Sequence, residues 1–141
     1  MPTATLSTRV DTWLYGKLAA GVTATAGRVH GEGPAPQSMV LPYTNFGVLS
    51  SLTIGGLNGT RIIGRLVYLV EIVAEAQSYT PLVTGSDQIY TTLHQHAPDS
   101  SVSGLVITSC ICEEEVRRVG EDEDAGTRYL GWRVRIEAEG V

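Results

Sequence analysis

The sequence is nearly without lysine. Lys17 is the only one, beside nine arginines, and charged residues make up 18% of the 141 positions. Soluble domains ordinarily carry about 25%. Clustered Lys and Arg, which neutralise a nucleic-acid backbone, are therefore scarce, and backbone binding is not expected. Aromatics are sparse as well, at 6%. No apolar run approaches the ~18 residues that span a membrane. Met1–Thr5 lacks a basic leader and no apolar stretch follows it, so no signal peptide is expected. Only two cysteines are present, Cys110 and Cys112. Two apart in a strand, they point the same way, which suits a disulfide poorly. Two thiols are also too few for a structural zinc site. Free thiols in a reducing compartment are the expectation.

What remains is aliphatic, Gly- and Thr-rich, with 43% hydrophobic residues and a net charge of −5. That composition suits a single domain with a real core. The charge is unevenly spread, at +3 over residues 1–70 and −8 over 71–141. Most of the acidic excess lies in Glu113, Glu114, Glu115, Glu121, Asp122, Glu123 and Asp124. Such a segment reads either as a solvated hairpin tip or as an acidic surface facing a basic partner or a pore.

Periodicity supplies the elements. Leu6, Val10, Trp13, Leu14 and Leu18 recur at steps of three and four, predicting an amphipathic helix over 5–20 with Gly21 as its stop. Residues 22–29 are Thr/Val-rich and predict a short strand. A Gly/Pro loop occupies 30–37. Pro42 makes 39–43 an edge strand or a strand entry. Residues 46–54 predict a strand that turns at Asn58-Gly59, a strong hairpin signal. The run over 61–76 is apolar on both faces through 66–70 and predicts a central strand. In so short a chain, one of its two covers is expected from another subunit. Residues 78–96 look helical but are interrupted by Gly85, so the better-defined helix is placed at 87–95 with Ser86 as its cap. Residues 105–112 predict a strand with a polar continuation through 118. At 129–139, Trp132, Val134, Ile136 and Ala138 alternate with Arg133, Arg135, Glu137 and Glu139, predicting a strand with one dry and one wet face. The two make an antiparallel hairpin. The order of elements predicts an α+β fold, a mainly antiparallel sheet with two helices packed on one face and long β-hairpins.

Catalytic constellations are lacking. No Gly-x-Ser-x-Gly elbow occurs. His94 and His96 stand about 200° apart on the predicted helix and cannot share a metal there. Asp122-Glu123-Asp124 lacks the distal ligands of a calcium loop. Glu71 and Glu75 lie roughly 13 Å apart along a strand, too far for an acid/base pair. Gly55-Gly56-Leu57-Asn58-Gly59 has neither the Lys nor the following helix of a phosphate loop. The expectation is a non-enzyme with no cofactor and no metal. A rival reading is a small ligand-binding module or enzyme with a pocket lined by Tyr68, Tyr90 and His94.

The N-terminal helix, Gly27-Arg28-Val29, the Ala35-Pro36 loop, Leu41-Pro42-Tyr43, a Gly-turned hairpin, a helix near 87–95 and a two-stranded C-terminal end follow one another in this order. In this succession the chain resembles the tail terminator proteins of long-tailed bacteriophages, which complete the tail and join it to the head. The resemblance implies an α+β subunit of a hexameric ring in the virion neck, contacting the tail tube protein on one side and head-closure proteins on the other. DNA passes through the lumen without specific binding, and neither catalysis nor a cofactor is implied. Another neck or tail component, such as a head-closure or tail-tube protein, is the neighbouring alternative. The candidate subunit or partner interface is the surplus apolar face of Ile63, Val67, Leu69 and Val73 with the turn residues Leu57 and Asn58. The acidic residues from Glu113 to Asp124 are the candidate lumen or docking surface.

Overall fold

The computed structural model describes residues 6–31, 40–55, 62–75, 77, 79–96, 98–119 and 126–140. Helix α1 spans Leu6–Gly21, and α2 spans Tyr79–Leu93. The strands are β1 (Val29–Gly31), β2 (Tyr43–Gly55), β3 (Ile62–Glu75), β4 (Leu105–Val119) and β5 (Thr127–Gly140). They form one five-stranded sheet in the order β1-β2-β3-β5-β4. Only β1 runs parallel to its neighbour; the other three pairings are antiparallel. The fold is α+β, as expected from the order of elements. The predicted turn at Asn58-Gly59 lies outside the described residues, but the pairing that closes with Gly55 opposite Ile62 is the expected hairpin.

Both helices pack on one face of the sheet. The apolar stripe of α1 is wholly buried, from Leu6 through Val10, Trp13 and Leu14 to Leu18. Burying such side chains stabilises the fold by ~1.5–3 kcal/mol each, before entropy is deducted. Beneath them lie the even-numbered residues of β3 (Leu66, Tyr68, Val70, Ile72, Ala74) and of β5 (Leu130, Val134, Ile136, Ala138). Tyr68 is fully buried, and its hydroxyl donates to Asp11 Oδ1 at 2.5 Å, tying the central strand to α1. A buried hydrogen bond between the Thr25 and Thr44 hydroxyls, 2.9 Å long, holds the segment after α1 against β2.

Two elements differ from the sequence reading. The Thr/Val-rich segment after α1 forms a 3-10 turn at Thr23–Thr25, and strand begins only at Val29. Helix α2 is one continuous helix that starts earlier than expected. Pro81 sits in its first turn, where its missing N–H costs nothing. Gly85 is a contact point, not a break. A Cβ there would lie 2.6 Å from Ile72 Cγ1, so its absence lets α2 close onto β3. Ser86 accordingly caps nothing. It is buried in mid-helix, and its carbonyl accepts the Trp132 indole N–H at 3.1 Å, pinning α2 to β5.

Cys110 and Cys112 are free and both point into the core. Burial pushes each thiol up to about 12 from its ordinary value of 9.0, and at Cys110 the neighbouring Cys112 adds to the effect. The folded state thus holds these protons more tightly than the unfolded chain does. Their stabilising contribution is complete below pH 9.0 and is lost as pH rises toward 12. Urea unfolding followed between about pH 8 and about pH 11 is expected to weaken above about 9, by up to ~1.4 kcal/mol per pH unit for each thiol. The double variant Cys110→Ala, Cys112→Ala should show a flatter profile. An unchanged slope in that variant would remove the thiols from the account.

Candidate assembly surface

The face of the sheet opposite the helices is bare among the described residues. Strand alternation brings to it the odd-numbered side chains of β3 and β5. The register lays them out in cross-strand rows. Leu52, Arg65 and Glu137 form one; Ser50, Val67, Arg135 and Ile111 the next; then come Gly47, Leu69, Arg133 and Glu114. Beyond these lie Asn45, Glu71, Gly131 and Val116, and finally Tyr43, Val73, Tyr129 and Arg118.

The rows divide the face into three parts. On the β2–β3 side it is apolar and open. Leu52 is 61% exposed and Ile63 47%, with Val67 and Leu69 half-buried beside them. Across β5 and β4 it is laced with charge. Arg65 meets Glu137 at 3.5 Å, while Arg135 lies 4.0 Å from Glu113 and 3.9 Å from Glu137. Exposed pairs of this kind contribute little to stability, but they fix which signs face outward.

The third part, near the end of β4 and the start of β5, is closed by an ion pair whose carboxylate is buried and whose guanidinium is half exposed. Glu71 is 1% exposed. Arg118 reaches across β5 and donates to both of its carboxylate oxygens, at 3.1 and 2.5 Å. Its guanidinium also lies 3.9 Å above the Tyr129 ring. The residue of β5 opposite Glu71 is Gly131. A Cβ there would stand 2.0 Å from the Val70 carbonyl oxygen and 2.4 Å from Glu71 Cα, so β3 and β5 approach as they do only because the side chain is missing.

The interface candidates therefore fare differently. Ile63, Val67 and Leu69 lie together on the open apolar part. Val73 does not join them as exposed surface; it is 1% exposed, between Tyr43 and Tyr129 in register. Leu57 and Asn58 lie outside the described residues. Sequence reasoning missed Leu52 and Leu49, which are 61% and 53% exposed. It also missed the Glu71–Arg118 pair. A lone Glu in an apolar run, with a lone Gly in the facing strand, was the available signal.

The acidic residues do not make one surface in the described part of the chain. A register shift between Cys112 and Glu114 turns Glu113 and Glu114 to the bare face, Glu113 at 4.0 Å from Arg135 and Glu114 opposite Arg133. Glu115 falls on the other side, paired with Arg117 at 3.0 Å. Glu121, Asp122, Glu123 and Asp124 lie outside the described residues. Tyr68, Tyr90 and His94 do not act as one pocket lining. Tyr68 bonds to Asp11, while Tyr90 stacks on His94 at 4.4 Å and meets Trp132 at a tilt, 4.9 Å between ring centroids. His94 Nδ1 is occupied as well, accepting the Cys112 backbone N–H at 3.1 Å. No group of three or more His, Cys, Asp or Glu suited to a metal occurs among the described residues.

No family model matches the sequence, and no curated protein does. Among solved structures the result is different. The chain shares its fold with a protein of the virion of a native gene transfer agent particle. The superposition has a TM-score of 0.70 and covers 98% of this chain and 100% of that one, at 15% identity. The likeness to that virion chain is one of fold, over nearly the whole length, with most residues changed.

Proposed function

We propose that the chain is a structural protein of a phage-like virion, a tail terminator that forms a hexameric ring in the neck. The ring ends the tail tube and joins it to the head, with DNA passing through its lumen. The observation that carries this reading is the end-to-end match to a virion protein combined with a partly apolar sheet face that no described residue covers. Contiguous exposed apolar surface on a small domain marks an interaction site. The charge pattern beside it suits orientation of a neighbour, since paired Arg and Glu favour one register over others. In this reading Ile63, Val67, Leu69 and Leu52 meet a neighbouring subunit, and the tail tube and head-closure proteins lie above and below the ring. No residue acts as a catalyst, and no cofactor takes part.

The test is assembly on tubes. Purified protein is mixed with tail tubes from its own particle and imaged by negative stain, with light scattering on the protein alone. Rings at one end of each tube are expected. Placement along the whole tube would make the chain a tube component instead, and absence from both tube and neck would end the proposal. Ile63→Lys combined with Leu69→Lys is expected to leave the fold intact and weaken ring formation by roughly tenfold or more, because each buries a charge in the contact.

A further inference from the structure

The outer edge of β4 is closed from within the chain, by the short segment that follows α2. Asp99 and Ile107 exchange backbone bonds of 3.0 and 2.7 Å, and the Gln95 N–H donates to the Cys110 carbonyl at 2.8 Å. Gln95 has a positive φ of 54°, a conformation uncommon for any residue but glycine. That turn ends α2 and carries the Gln95 N–H to the strand. Cys110 and Cys112, two apart, turn their backbone groups to the same edge. At Cys112 the bond comes from a side chain. The N–H of this buried residue donates to His94 Nδ1 at 3.1 Å.

The imidazole is held in place for that contact. It stacks on Tyr90, one helical turn earlier, with centroids 4.4 Å and planes 17° apart, and Tyr90 in turn leans on Trp132 of β5. A backbone N–H can only donate. Nδ1 therefore carries no proton, and Nε2 carries the single proton of the neutral imidazole. An imidazolium has a proton on both nitrogens and cannot accept the Cys112 N–H. The bond exists in one charge state only.

We propose that His94 is a proton-operated clasp on the β4 edge: the neutral imidazole closes it over Cys112, and protonation releases it. The clasp lies within one subunit and does not depend on the hexamer. Once released, it leaves an unpaired donor on an edge strand, the state that invites pairing with other chains. The other titratable groups around the imidazole are Tyr90 on α2, Cys110, Cys112 and Glu115 on β4, and His96 and Asp99 in the segment after the helix. Trp132, from β5, does not titrate. Burial pushes both thiols up to about 12. Bonds from Ser101, and then from Lys17, hold Asp99 well below the usual carboxylate range. Glu115 is paired with Arg117, and His96 packs edge-on against Trp13. Glu113 and Glu114 turn to the opposite face of the sheet.

The experiment is amide hydrogen exchange of the 15N-labelled chain, followed by NMR at about pH 8 and about pH 5.5, between which a histidine gains its proton. Each rate is compared with that of a free amide at the same pH. At the lower pH the Cys112 amide is expected to lose protection roughly tenfold or more relative to the Tyr68 amide of the central strand. His94→Asn puts an acceptor that does not titrate at the same reach and leaves His96 unchanged. In that variant the protection of Cys112 should be equal at the two pH values. The imidazole 15N shifts of the unaltered chain at about pH 8 should show a bare Nδ1 and a protonated Nε2 at His94. Equal protection of Cys112 at both pH values in the unaltered chain, the same loss in His94→Asn, or a proton on Nδ1 at about pH 8 would each overturn the proposal.

Discussion

Gly131→Ala is expected to destabilise the protein by about 3 kcal/mol or more, a large share of the stability of a domain this size. The physical reason is the 2.0 Å approach of the missing Cβ to the Val70 carbonyl oxygen. That neighbour is backbone, so no side-chain rotation relieves the clash. Either β3 and β5 separate or their ladder tilts, and that ladder runs the full length of both strands, from Ile62 opposite Gly140 to Glu75 opposite Thr127. Urea unfolding monitored by tryptophan fluorescence reads the effect, since Trp132 is next in the strand. A midpoint within about 0.5 kcal/mol of wild type would show that the two strands can part without loss.

Arg118→Ala is expected to cost about 3 kcal/mol, with the loss arising at the residue left behind. Glu71 is 1% exposed, and Arg118 supplies both charged bonds to it. Without them a carboxylate remains enclosed between strands with its countercharge gone. Arg118→Lys should recover only part of the loss, because one ammonium cannot reproduce the two-pronged contact or the stacking on Tyr129. Replacing both partners by leucine is expected to return most of the stability, since apolar side chains of similar size leave nothing unpaired. The double-mutant cycle separates the pair from its setting. If Arg118→Ala proves neutral, the buried Glu71 carboxyl does not depend on Arg118, and this account of the pair fails.

The apolar stripe of α1 was fully legible because a helix repeats its contacts every three or four residues, and Leu6 through Leu18 obey that spacing without exception. The alternation of β5 was legible for the same kind of reason. Helix α2 was misplaced because Gly85 has two opposite meanings. Local propensity reads it as a break, while packing against Ile72 requires it. The choice between them depends on a strand more than ten positions away, which no local window contains. For the described acidic residues the obstacle is a different one. A one-residue register shift in β4 sends Glu113 and Glu114 to one face and Glu115 to the other, and such shifts leave no composition signal. The open apolar face was anticipated through Ile63, Val67 and Leu69. Leu52 was not, because the bulge between Val48 and Ser50 reverses the alternation of β2 and turns Leu52 to the open face, and local spacing does not reveal such a bulge.

The strand order has a consequence for synthesis. Residues 127–140 fill the gap between β3 and β4, so β4 stays unjoined to the other three strands until those residues leave the ribosome. The β2–β3 hairpin can close early from local contacts, but the inward edge of β3 then waits for a strand more than fifty positions downstream. During that interval one edge of an apolar strand lies unpaired on a nascent chain, the condition under which neighbouring chains on one message associate wrongly. Expression at lower temperature, or with holdase chaperones, should therefore raise the soluble yield more than any change to the surface of the finished domain.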